Sequence, residues 1–502
     1  MSKEVEITLP NGTKYLQPTG LFINNEYVCG SKGNLIDSID PATGQVICSV
    51  ECAEELDVDK AVQAAKAAFY DVWKDSISPS ERGDLLYKLY ELTKANKDIL
   101  AQIEAFDSGK PLETNAVFDI DECIGVLKYY AGWADKSHGE YIPINKDKWC
   151  LTKHEPFGVV GQIVPWNYPL GMAIWKIAPA LAAGNTLVLK SAENTPLSIL
   201  YFGKLILEAG FPPGVVNFIS GFGPIAGSAL ATHQDVRKIA FTGSTHTGRI
   251  IQKLASDTLK AVTLECGGKS PLLVFKDCDL DQAVKWAAIG IFSNMGQICT
   301  STSRIYIEEE IYQEFLNKYV IHVKQEYKQG LPFEHKDVVV GPQVSKLQRD
   351  KILEYIEIGK KEGAKLLLGG SKPLEDKYSQ GWFVEPTIFS DVNNKMRIVR
   401  EEIFGPVVVC GKFKTQEEAI KLANDTEYGL GAAVFTKDNS KAFKVADAIE
   451  AGMVWINSSN DSDFHVPFGG VKMSGHGREL GDYGLNTYTQ AKAIHVNTGF
   501  LL

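Results

Sequence analysis

Val159-Val160-Gly161-Gln162-Ile163-Val164 and Thr186-Leu187-Val188-Leu189 are short apolar runs, and amphipathic stretches lie between and after them. A strand with one wet face would alternate with a period of two, so runs of this kind fit strands covered on both faces. A helix is expected from Pro179 to Ala183 and another from Leu197 to Ala209, with further strands over Val215 to Ile219 and Lys238 to Phe241. Strands that alternate with helices predict a parallel sheet with helices on both faces. This series, from Gly158 onward, is the expected nucleotide-binding unit.

A second series begins after Glu265. Leu272-Leu273-Val274-Phe275, Ser303 to Ile307, Val407-Val408-Val409 and Ala432-Ala433-Val434-Phe435 are its strand candidates. Its helices are expected at Leu280 to Phe292, Glu310 to Tyr327, Lys346 to Glu362 and Thr415 to Asn424. A second α/β domain follows from that pattern. Upstream, Leu21 to Val28 reads as a hairpin turning at Asn24-Asn25, followed by helices over Asp57 to Phe69, Ser80 to about Asn96 and Asp119 to Ala134. Asn486 to Val496 is strand-like and too short to be a domain.

Composition narrows the function. A chain of 502 residues exceeds one ordinary core, and 44% hydrophobic with 23% charged residues is a globular balance. The 52 basic and 62 acidic residues leave a net charge of −10, which argues against a nucleic-acid or anionic-membrane partner while allowing a local phosphate site. No apolar run approaches the roughly twenty residues that span a bilayer. Met1 to Glu6 lacks a signal core or an arginine-rich presequence, and Phe500-Leu501-Leu502 matches no retention address, so cytoplasmic placement is expected. The 9 cysteines are scattered without disulfide-framework spacing, which predicts free thiols in a reducing compartment. Histidines show no ligand spacing. Asp277-Cys278-Asp279-Leu280-Asp281 is followed by Gln282 where a calcium loop needs glycine, so these acids read as a helix cap and no metal is expected.

The chemistry centres on Phe292-Ser293-Asn294-Met295-Gly296-Gln297-Ile298-Cys299-Thr300 with Arg304, which sets a cysteine in a polar, glycine-bearing run after an apolar segment. Thr263-Leu264-Glu265-Cys266-Gly267-Gly268-Lys269-Ser270-Pro271 offers a carboxylate beside paired glycines that let backbone approach closely. A thiol nucleophile with a separate carboxylate base is the chemistry such a pair supports. Phe241-Thr242-Gly243-Ser244-Thr245 leads from a strand through glycine to a Ser/Thr helix cap, and a helix N-terminus suits a pyrophosphate. Gly221-Phe222-Gly223 with Gly227 approaches the dinucleotide fingerprint but has the wrong spacing, and alone reads as an ordinary turn.

With Pro165-Trp166-Asn167-Tyr168-Pro169, Lys190-Ser191-Ala192-Glu193, Glu401-Glu402-Ile403-Phe404-Gly405-Pro406 and Pro467-Phe468-Gly469-Gly470, these motifs run in order across most of the chain. The sequence resembles the aldehyde dehydrogenase superfamily and, through Trp455 to Asp461, its fungal cytosolic NAD(P)-dependent members. The resemblance implies an α/β fold with two doubly wound α/β domains and a small β oligomerisation arm. The Rossmann-like cofactor domain would cover 1–136 and 155–267, the catalytic domain 268–475, and the oligomerisation and bridging segments 137–154 and 476–502. It also implies oxidation of a small-molecule aldehyde to its carboxylic acid with NAD, NADP being the weaker alternative, in a homotetramer built as a dimer of dimers or in a dimer.

By the same resemblance Cys299 forms a thiohemiacetal whose oxyanion is held by the Asn167 amide and the Cys299 N–H. Hydride transfer leaves a thioester, and Glu265 activates the water that cleaves it. Lys176 matches a residue beside the water route, although a salt-bridged or snorkelling lysine is an equal reading. Cofactor contacts are implied for Trp166, Lys190, Glu193, Gly223, Gly243, Ser244, Glu402 and Phe404. A carboxylate at Glu193 would repel a ribose 2′-phosphate, which favours NAD.

Tyr168, Trp175 and Phe468 form the expected aromatic wall of the substrate pocket. Gly171 stands where many relatives carry a bulkier aliphatic residue and Ser462 where many carry an aromatic, which weakens a preference for small apolar aldehydes. Asp461 or Asp463 near the mouth would favour a cationic aminoaldehyde such as 3-aminopropanal, against the ordinary reading of solvated loop acids. Acyl transfer to coenzyme A is disfavoured by Glu265, and a non-catalytic structural or binding member of the fold would be free to lose Cys299 or Glu265.

Overall fold

The computed structural model describes residues 3–373 and 375–502. Its first sheet is built around Val159–Ile163, which pairs in parallel with Thr186–Ser191 on one side and Lys238–Thr242 on the other. Val216–Ser220 and Ala261–Glu265 extend the sheet outward in the same sense. Every residue of Val159–Ile163, Thr186–Ser191, Val216–Ser220 and Lys238–Thr242 is buried, which is why the runs carry no wet-face alternation. From the central strand the chain builds one side of the sheet, then crosses back and starts the other side at Lys238–Thr242. A crevice opens at the carboxyl ends of the two strands where the order reverses.

Antiparallel additions close both edges of this sheet. At one lies the hairpin Leu21–Ile23 with Glu26–Val28, where Asn24 and Asn25 have φ of 54° and 63°, the left-handed pair that a two-residue hairpin requires. At the other, Gly475–His476 pairs with Ala261–Glu265, so the chain returns to the first sheet after completing the second. Glu55–Ala68, Pro79–Ala95, Lys97–Ser108 and Val117–Trp133 supply the helical layer expected from the opening third.

One helix differs clearly from expectation. The sequence reading places it over Pro179 to Ala183, whereas the structure has 14 residues from Pro169 to Ala182. Pro169 fits a first helical turn, where no N–H is needed. All its residues except Gly171 are buried, so no polar face marks it in the sequence. Leu197–Ala209 and Leu280–Phe292 have the predicted bounds, and Asp279 caps the latter by accepting from the Gln282 N–H at 3.1 Å.

The second sheet has the order Lys365–Leu368, Thr387–Ser390, Val407–Phe413, Arg304–Glu308, Pro271–Val274, Gly431–Phe435, Met453–Ile456, parallel apart from the first pair. Lys365–Leu368, Thr387–Ser390 and Met453–Ile456 are absent from the sequence reading; at 4 residues each they are too short to show a period. A third, antiparallel sheet joins Tyr141–Asn145, Lys148–Pro156 and Thr489–Asn497. Its last strand begins at Thr489 because Gly481–Asn486 is helical. Among the described residues no helix is long and apolar enough to cross a membrane.

Two glycines separate close backbone approach from free space. Gly475 has φ of 109°, and an added Cβ would fall on the Leu264 carbonyl oxygen, whereas the helical Gly132 has nothing within 4 Å of that position. Gly475→Ala is predicted to lower the thermal midpoint by several degrees in scanning calorimetry. Gly132→Ala is predicted to hold or raise it, since alanine is favoured over glycine in a helix by about 1 kcal/mol.

Candidate active site

The crevice continues into a cavity of about 380 Å³ between the carboxyl ends of the first sheet's strands and the chain leading into Pro271–Val274, Arg304–Glu308 and Val407–Phe413 of the second. Trp166, Asn167, Tyr168, Gly171 and Trp175 reach it from the segment after Val159–Ile163, and Gly243 and Ser244 from the end of Lys238–Thr242. Glu265, Cys299, Glu402, Phe404, Ser462 and Phe468 complete the group of sequence-predicted residues on its wall.

Cys299 is delivered by a sharp turn. After Leu280–Phe292, Asn294, Met295 and Gly296 take φ of 45°, 55° and 72° in succession. Asn294 holds the turn by donating its amide to the Asn167 carbonyl at 3.0 Å, and the Val344 N–H donates to Gln297 Oε1 at 3.0 Å. An added Cβ on Gly268 would stand 2.7 Å from the Cys299 carbonyl oxygen, so the paired glycines do allow close passage. Burial, then the Glu402 and Glu265 carboxylates, push the Cys299 thiol up to about 12. At rest it is a protonated thiol.

Asn167 is buried and donates one amide hydrogen to the Gln297 carbonyl at 2.8 Å. That bond ties the oxyanion-donor candidate to the cysteine turn, and an amide nitrogen has a second hydrogen to give. Arg304, which accompanies Cys299 in the sequence motif, lies outside the cavity wall. Buried, it donates to the carbonyls of Lys269 at 2.7 Å and Ala423 at 2.9 Å, anchoring the loops behind the site.

Glu265 ends its strand at 3% exposure, and neither carboxylate oxygen has a hydrogen-bond partner. Burial, then Glu479, raise its carboxyl well above the usual range, while Lys176 and Arg478 oppose them. Lys176 is wholly buried and donates to Thr242 Oγ1 at 2.6 Å and to Glu479. It is therefore salt-bridged and also placed behind the base candidate, which joins the two readings its sequence position allowed. Glu479 was not legible in the sequence, since a single glutamate in Gly477-Arg478-Glu479-Leu480 has no motif around it.

The cofactor candidates divide into two groups. Phe404, with φ of 61°, meets Trp166 edge to face at 5.3 Å. Glu402 accepts from the Gly268 N–H at 3.0 Å, and an added Cβ on Gly267 would fall on the Glu402 carboxylate. Ser244 caps Thr245–Ala255 by accepting from the Thr247 N–H at 3.2 Å, leaving a free helix N-terminus beside Gly243. Lys190, Glu193 and Gly223 are not on this cavity wall. They stand beyond it along the same sheet edge, at the ends of Thr186–Ser191 and Val216–Ser220, with Lys190 3.7 Å from Glu193. Open space surrounds the Cβ position of Gly223. The edge thus offers N–H donors, a buried lysine and a carboxylate in a line suited to an extended dinucleotide.

Trp175 packs against Phe468 at 4.9 Å, giving the expected aromatic wall. Asp461 and Asp463 do not line the cavity. The Asp461 carbonyl accepts from the Trp455 indole at 2.9 Å, and Asp463 accepts from the His465 N–H at 2.8 Å. Besides Glu265, Glu402 and Glu479, the acids on the wall are Asp119 and Glu122, from Val117–Trp133. Their spacing of one helical turn was a usable sequence signal. Among the described residues no cluster of three His, Cys, Asp or Glu could hold a metal ion.

The sequence profile described as "Aldehyde dehydrogenase family" matches residues 27–494. An aldehyde dehydrogenase-like protein of Schizosaccharomyces pombe is 57% identical over 98% of this chain and 98% of its own. Aldehyde dehydrogenase [NAD(P)+] 1 of Saccharomyces cerevisiae is 52% identical over 96% of each. The structure of a Bacillus cereus aldehyde dehydrogenase described as an NAD+ complex superposes with a TM-score of 0.93 at 47% identity, covering 96% of this chain and 97% of that one. The chain belongs to the aldehyde dehydrogenase family.

Proposed function

We propose that the chain oxidises an aldehyde to the carboxylic acid with NAD, through a Cys299 thiohemiacetal and thioester that Glu265-activated water resolves. The observation that carries this reading is the convergence of Cys299, Asn167 and an unpartnered, proton-seeking Glu265 on one cavity. A yeast relative named for NAD(P)+ and a structural neighbour described as an NAD+ complex support the cofactor. Lys190, Glu193, Gly223, Gly243, Ser244, Trp166, Glu402 and Phe404 would hold it, and when bound NAD supplies the hydride acceptor.

The residues divide the remaining work. Because carboxylate fields help hold the thiol near 12, passing its proton to Glu265 both frees the sulfur and removes one of those fields. Asn167 can give its second amide hydrogen to the oxyanion that forms on attack. Once Glu265 has released that proton to solvent through the cavity, it takes another from water as the thioester is cleaved. Lys176 keeps Glu265 from rising further, and Glu479, ion-paired with Lys176, lies on the same cavity wall.

Exposed Tyr141, Ile142, Ile144, Leu151 and Ile494 on the three-stranded sheet support self-association, read here as a homotetramer. The 9 free cysteines suit a cytosolic setting.

Cys299→Ser should lower steady-state NADH formation by at least about a thousandfold while NAD binding, followed by tryptophan fluorescence, persists; retained turnover would refute the nucleophile. Glu265→Gln should slow the burst of NADH, because the thiol loses the acceptor of its proton, and lower the following steady rate by about a hundredfold, because deacylation loses its base. A variant with an unchanged burst rate, or with an unchanged steady rate, would contradict that role. Because Lys176 opposes the upward shift of Glu265, Lys176→Met should move the acidic limb of kcat/KM about one pH unit higher, with Lys176→Arg restoring it. An unmoved limb would remove Lys176 from the account.

A further inference from the structure

A second wholly buried ammonium, that of Lys110, meets the turn that carries Asn167. Lys110 lies between the helices Lys97–Ser108 and Val117–Trp133, just after Gly109, whose φ of 78° ends the first of them. Its Nζ donates to Asp119 Oδ2 at 2.6 Å and to the Asn167 carbonyl at 3.0 Å. It also lies 3.7 Å from Glu104 Oε2 and 4.6 Å from the centre of the Tyr168 ring. Glu104, itself buried, accepts from the Leu170 N–H at 3.0 Å through its other oxygen. Lys110 and Glu104 thus grip the chain from Asn167 to Leu170 out of the helical layer, where Pro169–Ala182 begins.

Stability alone does not call for a buried ion cluster, since apolar side chains of the same volume often replace one at little cost. What they cannot do is hold a carbonyl in one direction. The Asn167 carbonyl accepts from Lys110 and from the Asn294 amide at 3.0 Å, which uses both its lone pairs. The Asn167 amide is tied at 2.8 Å to the Gln297 carbonyl, which the Asn294 amide also reaches at 3.3 Å. Because the peptide is planar, a fixed carbonyl restricts ψ of Asn167. With the backbone and one amide hydrogen held, the second hydrogen is left one direction. Asn294 and Gln297 belong to the cysteine turn itself. Lys110 is the donor that ties the Asn167 carbonyl to the rest of the fold.

We infer that Lys110 is a positioning residue for the oxyanion donor, holding the Asn167 carbonyl so that the second amide hydrogen points to where the oxyanion forms. It acts through Asn167 and is not itself on the cavity wall. The inference rests on the aldehyde-oxidising reading and adds to it a residue outside the cavity.

The burst rate of NADH formation with saturating NAD and propanal reads the steps in which the oxyanion forms and collapses. Lys110→Met keeps the volume and removes the donor. It should lower that rate by roughly ten- to a hundredfold and leave the KM for NAD unchanged. In an Asn167→Ala background the same substitution should cost less than about twofold, because the group it positions is gone. Equal losses in the two backgrounds are what a lysine that merely supports the fold would give. That result, or no loss in either background, would overturn the inference and leave the oxidising reading standing. Asn167→Ala at the wild-type rate would overturn the donor role of Asn167 and the inference with it. A wild type that forms no NADH from propanal would overturn the oxidising reading and the inference together. Should Lys110→Met misfold, Glu104→Gln keeps the shape and loosens the hold on the ammonium. It should slow the burst by about threefold with Asn167 present and not in Asn167→Ala, and equal effects or none would likewise overturn the inference.

Discussion

Lys176 lies wholly inside the protein, its ammonium shared between Glu479 and Thr242 Oγ1. The helix Pro169–Ala182, the strand Lys238–Thr242 and the chain just after Gly475–His476 meet at that point. A buried ammonium stripped of one partner costs about 3–5 kcal/mol, so these distant segments are held in one arrangement. Glu265 inherits that arrangement, because its strand pairs with Gly475 at the same place. An added Cβ on Gly469 would come within 2.8 Å of Glu265 Oε1, so glycine there leaves the base its space. The position of the base is therefore a consequence of how the end of the chain returns to the first sheet.

The same burial sets the chemistry. Glu265, Glu402, Glu122 and Glu479 all line the cavity; Glu479 raises Glu265, and Glu402 with Glu265 raises the thiol. A protonated thiol is a weak nucleophile and resists oxidation, so Cys299 is guarded until its proton has a destination. Glu265, with two unpartnered oxygens, is the destination proposed for it. The arrangement gives up some stability to keep carboxylates unpaired, a trade found at sites poised for proton transfer.

What the sequence could reveal depended on what leaves a local trace. Buried parallel strands and capped helices do, and Leu280–Phe292 was legible to its ends because Asp279 and the glycine-bearing turn bracket it. Pro169–Ala182 was not, since a helix buried all round has no amphipathic period. Cys299 and Glu265 stood out through their glycine-rich surroundings, which the close passage of Gly268 over the Cys299 carbonyl explains. Glu479 and Lys110 left no trace, because their roles arise from contacts with segments remote in sequence. Asp461 and Asp463 flank Ser462 in sequence yet are not on the cavity wall, since proximity along the chain to a pocket residue leaves no trace of which neighbours line the pocket.

The central claim is that one sulfur, Cys299, carries the substrate as an acyl group. Rapid acid quenching of the enzyme during turnover with NAD and aldehyde, followed by peptide mapping by mass spectrometry, tests it directly. The account predicts an acyl thioester on the peptide containing Cys299, formed and lost at rates consistent with turnover, and no acyl group on the other eight of the 9 cysteines. Acylation at another cysteine, or turnover with no acylated Cys299 at any quench time, would contradict it.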